Sequence, residues 1–148
     1  MRIATYSDYA LRLLMYAAVK YPNFVTINEV ATAYGISKNH LMKVTHDLAT
    51  SGYLETVRGR SGGLRLARPA KEINVGKVMR MTESDSALVE CFDAKTNRCV
   101  ITPACTLKHT LHDALEAFFK SLETKTLADL VKKPKALEEL FVSQAVKL

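Results

Sequence analysis

Three cysteines, Cys91, Cys99 and Cys105, fall within fifteen residues of a 148-residue chain that has no others. Thiolate sulfur is the soft donor that iron–sulfur clusters, zinc and copper(I) select. The spacing Cys-x7-Cys-x5-Cys departs from structural zinc sites, where paired ligands stand about two to four residues apart, and from ferredoxin spacing. Three well-separated thiolates on one loop suit a large cluster, with one iron left for a further ligand. An odd count argues against a disulfide framework. The bland reading is three small buried hydrophobes, a common fate of free cysteine. A metal-free thiol switch through disulfide or sulfenic acid stays open beside it. Cys105, just after Pro103, is expected in the first turn of a helix, where the helix dipole favours its thiolate. Cys105 with His109 is the best nucleophile–base pair in the chain. It has no orienting third residue and no oxyanion motif, so catalysis is not expected.

A second group of residues suits nucleic acid. Lys38, Asn39, His40 and Lys43 cluster at the start of an expected helix. Asn39 can pair bidentately with adenine, and a lysine can reach guanine O6 or N7. Ser37 and that helix N-terminus suit a phosphate. Arg58, Arg60, Ser61 and Gly62 form a glycine-rich tip, and arginine is the side chain expected in a narrow minor groove. Taken singly, any of these is as well read as part of a solvated helix face. Taken together they require a scaffold that points them one way.

The elements supply it. Thr26-Ile-Asn-Glu29 is a capping box opening a helix over 27–34. Gly35 breaks that helix in the left-handed conformation, and Ile36 is expected to be the buried turn residue. Ser37 is expected to cap a second helix reaching Ser51, with Leu41, Val44 and Leu48 inward. Extended runs at 53–57 and 64–67, joined through Arg58-Gly-Arg-Ser-Gly-Gly63, predict a β-hairpin. The order helix, tight turn, helix, hairpin is that of a winged helix-turn-helix, whose second helix enters the major groove. Ahead of it, Ser7 is expected to N-cap a helix from Asp8 to about Lys20. Behind it, Asn74 caps a short helix through Met81, and 88–105 has no period and is expected to be a loop. Thr102-Pro103 is expected to start a long helix reaching about Leu122. Its stripe of Leu107, Leu111, Ala114 and Phe118, with Leu115, Phe119 and Leu122 beside them, is wide enough to face a second helix as well as its own domain. Thr126 opens a short turn, and Lys132-Lys133-Pro134 breaks the chain before a weakly amphipathic tail.

The fold class expected is therefore mainly α with a small β-hairpin wing. We divide the chain into a DNA-binding domain over 1–82, with the helix-turn-helix at about 28–51 and the wing at 53–67. A metal loop at 83–105 and a dimerisation helix with tail at 106–148 follow. Charge supports the division. Residues 1–80 carry twelve Lys/Arg against five Asp/Glu, and residues 81–148 carry nine against ten. A basic front half is the footprint of a polyanion-binding module. With 48% hydrophobic residues, no apolar run long enough to span a bilayer and no signal peptide, the expected location is the cytoplasm, with no membrane partner.

Several segments together resemble the iron–sulfur winged-helix repressors of the Rrf-type family. They are Tyr6-Ser-Asp-Tyr-Ala10, Tyr34-Gly-Ile-Ser-Lys-Asn-His40, Val57-Arg-Gly-Arg-Ser-Gly-Gly-Leu-Arg-Leu66, Ile101-Thr-Pro-Ala-Cys105 and Lys125-Thr-Leu-Ala-Asp-Leu130. The likeness covers nearly the whole chain and is strongest to the nitric-oxide-sensing members. It implies a homodimer on a palindromic double-stranded DNA operator, with nitric oxide as the signal. It also implies an iron–sulfur cluster, [4Fe-4S] in preference to [2Fe-2S], held by Cys91, Cys99 and Cys105. In some relatives an acidic residue of the partner's first helix completes the ligand set, and Asp8 occupies that motif position; its other reading is a first-turn acid stabilising its own helix. The iron–sulfur-status regulators of the family, the alternative function, carry a histidine three residues after the last cysteine. That position is Lys108 here, with His109 one further on.

Overall fold

The computed structural model of the chain describes residues 3–60, 62–83 and 87–145. Helix α1 spans Thr5–Lys20, α2 Ile27–Tyr34 and α3 Lys38–Thr50. Strands β1, Leu54–Val57, and β2, Gly63–Leu66, pair antiparallel, with Leu54 opposite Leu66 and Thr56 opposite Leu64. Helices α4 (Val75–Thr82), α5 (Thr106–Glu123), α6 (Leu127–Leu130) and α7 (Pro134–Ala145) follow. The mainly helical fold with a two-stranded wing is the one the periodicity predicts.

The capping box closes as expected: the Glu29 amide donates to Thr26 Oγ1 at 3.1 Å and the Thr26 amide donates to Glu29 Oε2 at 2.5 Å. Gly35 takes φ +63°, and its amide closes the last turn of α2 on the Ala31 carbonyl. Ile36 is buried beside Leu41, Val44 and Leu48 of α3. Ala10, Leu13, Leu14 and Ala17 of α1 complete that core from the other side. Each fully buried leucine contributes about 2 kcal/mol through the area it removes from water.

Four details differ from the sequence reading. Ser7 does not cap α1; the helix begins earlier, with Ala4 at the cap position. The Ala4 amide donates to Glu83 Oε1 at 2.8 Å, so a distant carboxylate does the capping and Ser7 is swallowed by the core. Ser37 stands at the cap position of α3 without making the side-chain hydrogen bond of a cap. Thr102-Pro103 starts only a 3-10 turn, Thr102–Ala104; Cys105 is extended, and α5 begins after it. The tail, expected only to be weakly amphipathic, is a helix packed on the body. Phe141 of α7 is buried, with its ring 4.7 Å from that of Tyr16 and 5.3 Å from that of Tyr34.

Two junctions tie the parts together. Val25 pairs with Leu64 through both backbone bonds, 2.9 and 2.8 Å, bridging the free edge of β2 to the segment before α2. Gly63 permits that approach, since a Cβ there would stand 2.4 Å from the Val25 carbonyl oxygen. At the other end α4 is bolted to α5. Arg80 makes a bidentate contact with Glu116 at 2.8 and 2.9 Å, reaches Glu123 at 2.6 Å and lies 4.6 Å from the Phe119 ring centroid. Those hydrogen bonds hold Arg80 more firmly protonated than usual and pull Glu116 below the ordinary carboxylate range.

Candidate DNA interface and cysteine loop

The start of α3 places its polar residues outward because the 3.6-residue repeat has already committed Leu41, Val44 and Leu48 to the core. Lys38, Asn39, His40 and Lys43 are all exposed. Ser37 is exposed too, and its hydroxyl, unused by the helix, is free for a phosphate. Two of these side chains lean on α1. His40 lies 6.0 Å ring to ring from Tyr9, and the Lys43 ammonium stands 5.9 Å from the Tyr6 ring centroid. Arg58 and Arg60 project from the hairpin tip. The tip itself turns through Gly59 at φ +111° and the Gly62 amide bonded to the Gly59 carbonyl at 3.1 Å. Ser61 lies outside the described residues. Between the N-terminus of α2, the face of α3 and the wing runs an open groove of about 420 Å³, lined in part by Asn28, Lys38 and Gly62.

Three structural features escaped the sequence reading. Met42 sits on the outer face of α3 and is 58% exposed; as an apolar residue off the buried stripe it carried a signal that went unused. Tyr6 donates its phenol to Asp47 Oδ2 at 2.6 Å, clamping α1 to α3. Burial, the hydrogen bond to Asp47 and that residue's negative charge all raise the Tyr6 pKa, so the phenol stays protonated. No local pattern announces a bond across 41 positions. The third feature is Gly76, packed against Glu123 at the joint between α4 and α5. A glycine inside a helical pattern was the available hint.

The cysteines sit at three different kinds of position. Cys91 is in a 3-10 turn, Glu90–Phe92, whose Phe92 ring lies 6.1 Å from His112 of α5. Cys99 is in the connecting turn, and Cys105 is the cap residue of α5. All three are free thiols of intermediate exposure. They are not the inert, fully buried cysteines of the bland reading. Among the described residues no three His, Cys, Asp or Glu side chains are gathered closely enough to hold a metal ion. The donor set fits an iron–sulfur cluster in its chemistry: three partly exposed soft sulfurs on one loop. Asp8 is on α1 and is engaged by Arg12, with bonds of 3.0 and 2.9 Å. His109 is exposed on α5.

Helix α5 leaves its apolar stripe only partly covered, with Leu111, Leu115, Phe118 and Leu122 half-buried. Phe119 is its one buried residue, and Leu107 is 60% exposed. Among the described residues no helix is long and apolar enough to cross a membrane.

Residues 3–133 match the Rrf2 family model, described as an iron-dependent transcriptional regulator. The chain is 48% identical over 142 residues to the HTH-type transcriptional regulator NsrR of Bacillus subtilis (strain 168), covering 95% of this chain and 97% of that protein. It is 49% identical to the protein of the same name from Oceanobacillus iheyensis, again over 95% and 97%. Among solved structures, T. potens IscR superposes with a TM-score of 0.71 over 89% of this chain and 87% of that one, at 22% identity. That likeness speaks to the fold.

Proposed function

From the premise that the chain belongs to the Rrf2 family of transcriptional regulators, and so is not an enzyme, we propose that it is a dimeric repressor whose iron–sulfur cluster senses nitric oxide. The carrying observation is three free, half-buried thiols on one loop that runs directly into the helix bolted to the DNA reader.

On the DNA side, α3 lies in the major groove. Lys38, Asn39, His40 and Lys43 meet base edges and phosphates there, and Ser37 meets the backbone. Arg58, Arg60, Ser61 and Gly62 of the wing follow the adjacent backbone or minor groove. In a two-fold dimer the two recognition helices stand roughly 34–36 Å apart on a palindromic operator. The partly covered stripe of α5 meets its counterpart in the second copy.

On the sensing side, Cys91, Cys99 and Cys105 hold a cluster, [4Fe-4S] in preference to [2Fe-2S], and Asp8 of the partner subunit supplies the fourth ligand. When bound, the cluster supplies iron with which nitric oxide reacts. The chain's own residues explain how that event reaches DNA. Asp8 lies between Tyr6 and Tyr9 in sequence, and those two side chains contact Asp47, Lys43 and His40 of α3. Asp8, which would hold the cluster and here pairs with Arg12, thus stands on the same turn of α1 as the two side chains that brace the recognition helix. Nitric oxide, as the signal, rests on the family resemblance. The protein acts in the cytoplasm.

Anaerobic purification with iron and acid-labile sulfide counts, followed by nitric oxide titration of the visible spectrum and of operator binding, tests this. Cys99→Ala is expected to be colourless and unresponsive. A fully coloured, responsive Cys99→Ala protein would overturn the ligand assignment. A colourless wild type without iron would favour a thiol-based regulator on the same fold.

A further inference from the structure

The chain between Cys91 and Cys105 makes its own scaffold. Asp93 Oδ1 accepts from the Lys95 amide at 2.9 Å, and its Oδ2 accepts from the Thr96 hydroxyl at 2.9 Å. The Asp93 carbonyl accepts from the Asn97 amide at 3.0 Å. The next turn is built around Cys99. Asn97 Oδ1 accepts from the Cys99 amide at 3.0 Å, and the Thr102 hydroxyl donates to the Cys99 carbonyl at 2.8 Å. Asn97 Nδ2 donates to that same hydroxyl at 3.2 Å, so the two grips brace each other. A carboxamide that bonds the amide two residues on is an Asx turn, which fixes local backbone direction without any larger element. Both backbone groups of Cys99 are thus held by side chains. Among the described residues, no side chain bonds the backbone of Cys91 or Cys105.

We propose that Asn97, braced by Thr102, is the positioning residue for Cys99: it sets the direction of the Cys99 Cα–Cβ bond before iron arrives. This deepens the reading above and rests on Cys99 being a ligand. The half of the loop from Asp93 to Cys105 is then ordered by its own hydrogen bonds, and the adjustment that closes the site falls on the Cys91 side. Outer partners that orient a ligand are worth about 10–100-fold in metal affinity.

The test uses the full-length chain with three variants, Asn97→Ala, Asn97→Asp and Thr102→Val. Amide hydrogen exchange at Cys99 and Thr102 is measured in the apoprotein. The rate of iron loss to a chelator is measured after anaerobic reconstitution with ferrous iron and sulfide. Asn97→Ala is expected to speed exchange at Cys99 and to lose iron about tenfold faster, with an unchanged thermal midpoint. Thr102→Val should do the same more weakly. Asn97→Asp, which keeps the acceptor for the Cys99 amide, should recover most of both. Wild-type exchange and wild-type iron loss in Asn97→Ala would overturn the proposal, as would equal behaviour of the Ala and Asp variants. If the wild type takes up neither iron nor sulfide, the cluster reading fails by itself, and the exchange measurement still decides whether Asn97 orders Cys99.

Discussion

The joint between α4 and α5 gives a prediction in which two effects of opposite sign compete. Gly76 lies in the first turn of α4 against the end of α5. An alanine there would place its Cβ 2.3 Å from Glu123 Cγ, 2.5 Å from the Glu123 backbone nitrogen and 2.8 Å from its Cα, where real contacts essentially never fall under 3.0 Å. The Cγ can swing away, but the backbone cannot. The end of α5 must retreat by roughly half an ångström, which forced contacts in a close-packed interior make costly. That retreat stretches the bond from Asn74 Nδ2 to the Glu123 carbonyl, now 2.6 Å, and the Arg80–Glu123 contact. Overpacking of this kind costs about 1–3 kcal/mol, and a weakened, partly buried hydrogen bond adds up to about 1 kcal/mol. Against this, replacing glycine in a helix gains at most about 1 kcal/mol in backbone entropy. The net expectation for Gly76→Ala is a loss of about 1–3 kcal/mol, read as a lower midpoint in urea unfolding followed by circular dichroism. A variant as stable as the wild type, or more so, would refute the close-contact argument, because propensity alone would then have decided the sign.

Two further predictions concern the reader. Tyr6→Phe removes a charge-assisted hydrogen bond but keeps the ring under Lys43, and should cost about 1.5 kcal/mol, the low end for such bonds, because water can reach the half-buried pair. Since the folded protein raises the Tyr6 pKa above its ordinary value of 10.0, the stabilisation is complete below pH 10 and is lost only as pH rises beyond it. The wild-type–Tyr6→Phe difference should therefore be flat from pH 6 to 9 in unfolding titrations, and a slope in that window would contradict the assignment. Arg60→Ala should weaken operator binding and reduce the steepness of its log–log salt dependence by about 0.9, one phosphate's worth. Unchanged affinity and slope in salt-titrated binding would place the wing tip away from DNA.

The helix-turn-helix was legible because its signals are local. Thr26 and Glu29 are three residues apart, Gly35 needs only its own backbone conformation, and the α3 stripe repeats within one helix. What escaped depends on distant partners. Ser7 looks like a cap until Glu83, a residue from the end of α4, takes over that role. Thr102-Pro103 carries the chemistry of a helix start, but the hydrogen bonds of the Thr102 hydroxyl go back to Cys99 instead of forward into a helix. The tail shows weak amphipathicity because few apolar residues, Phe141 and Leu137, hold it to the body, beside the Lys20–Glu138 pair. The cysteines were legible as chemistry and not as geometry, since spacing says which atoms are available and not which of them the loop itself orients.

The pairing of Val25 with Leu64 gives the wing a fixed root and a free tip. Strands β1 and β2 stay paired as far as Val57 and Gly63, while Arg58 and Arg60 stand exposed beyond that last pair. Changes of length or charge at the tip leave the core untouched, whereas a change at the root disturbs the link between α1 and α2. Under the proposed wing contact, Arg58 and Arg60 are cantilevered positions where charge can change without repacking the core, whereas Gly59 (φ +111°) and Gly62, whose Cβ would meet the Val57 carbonyl oxygen at 2.1 Å, hold the tip's shape.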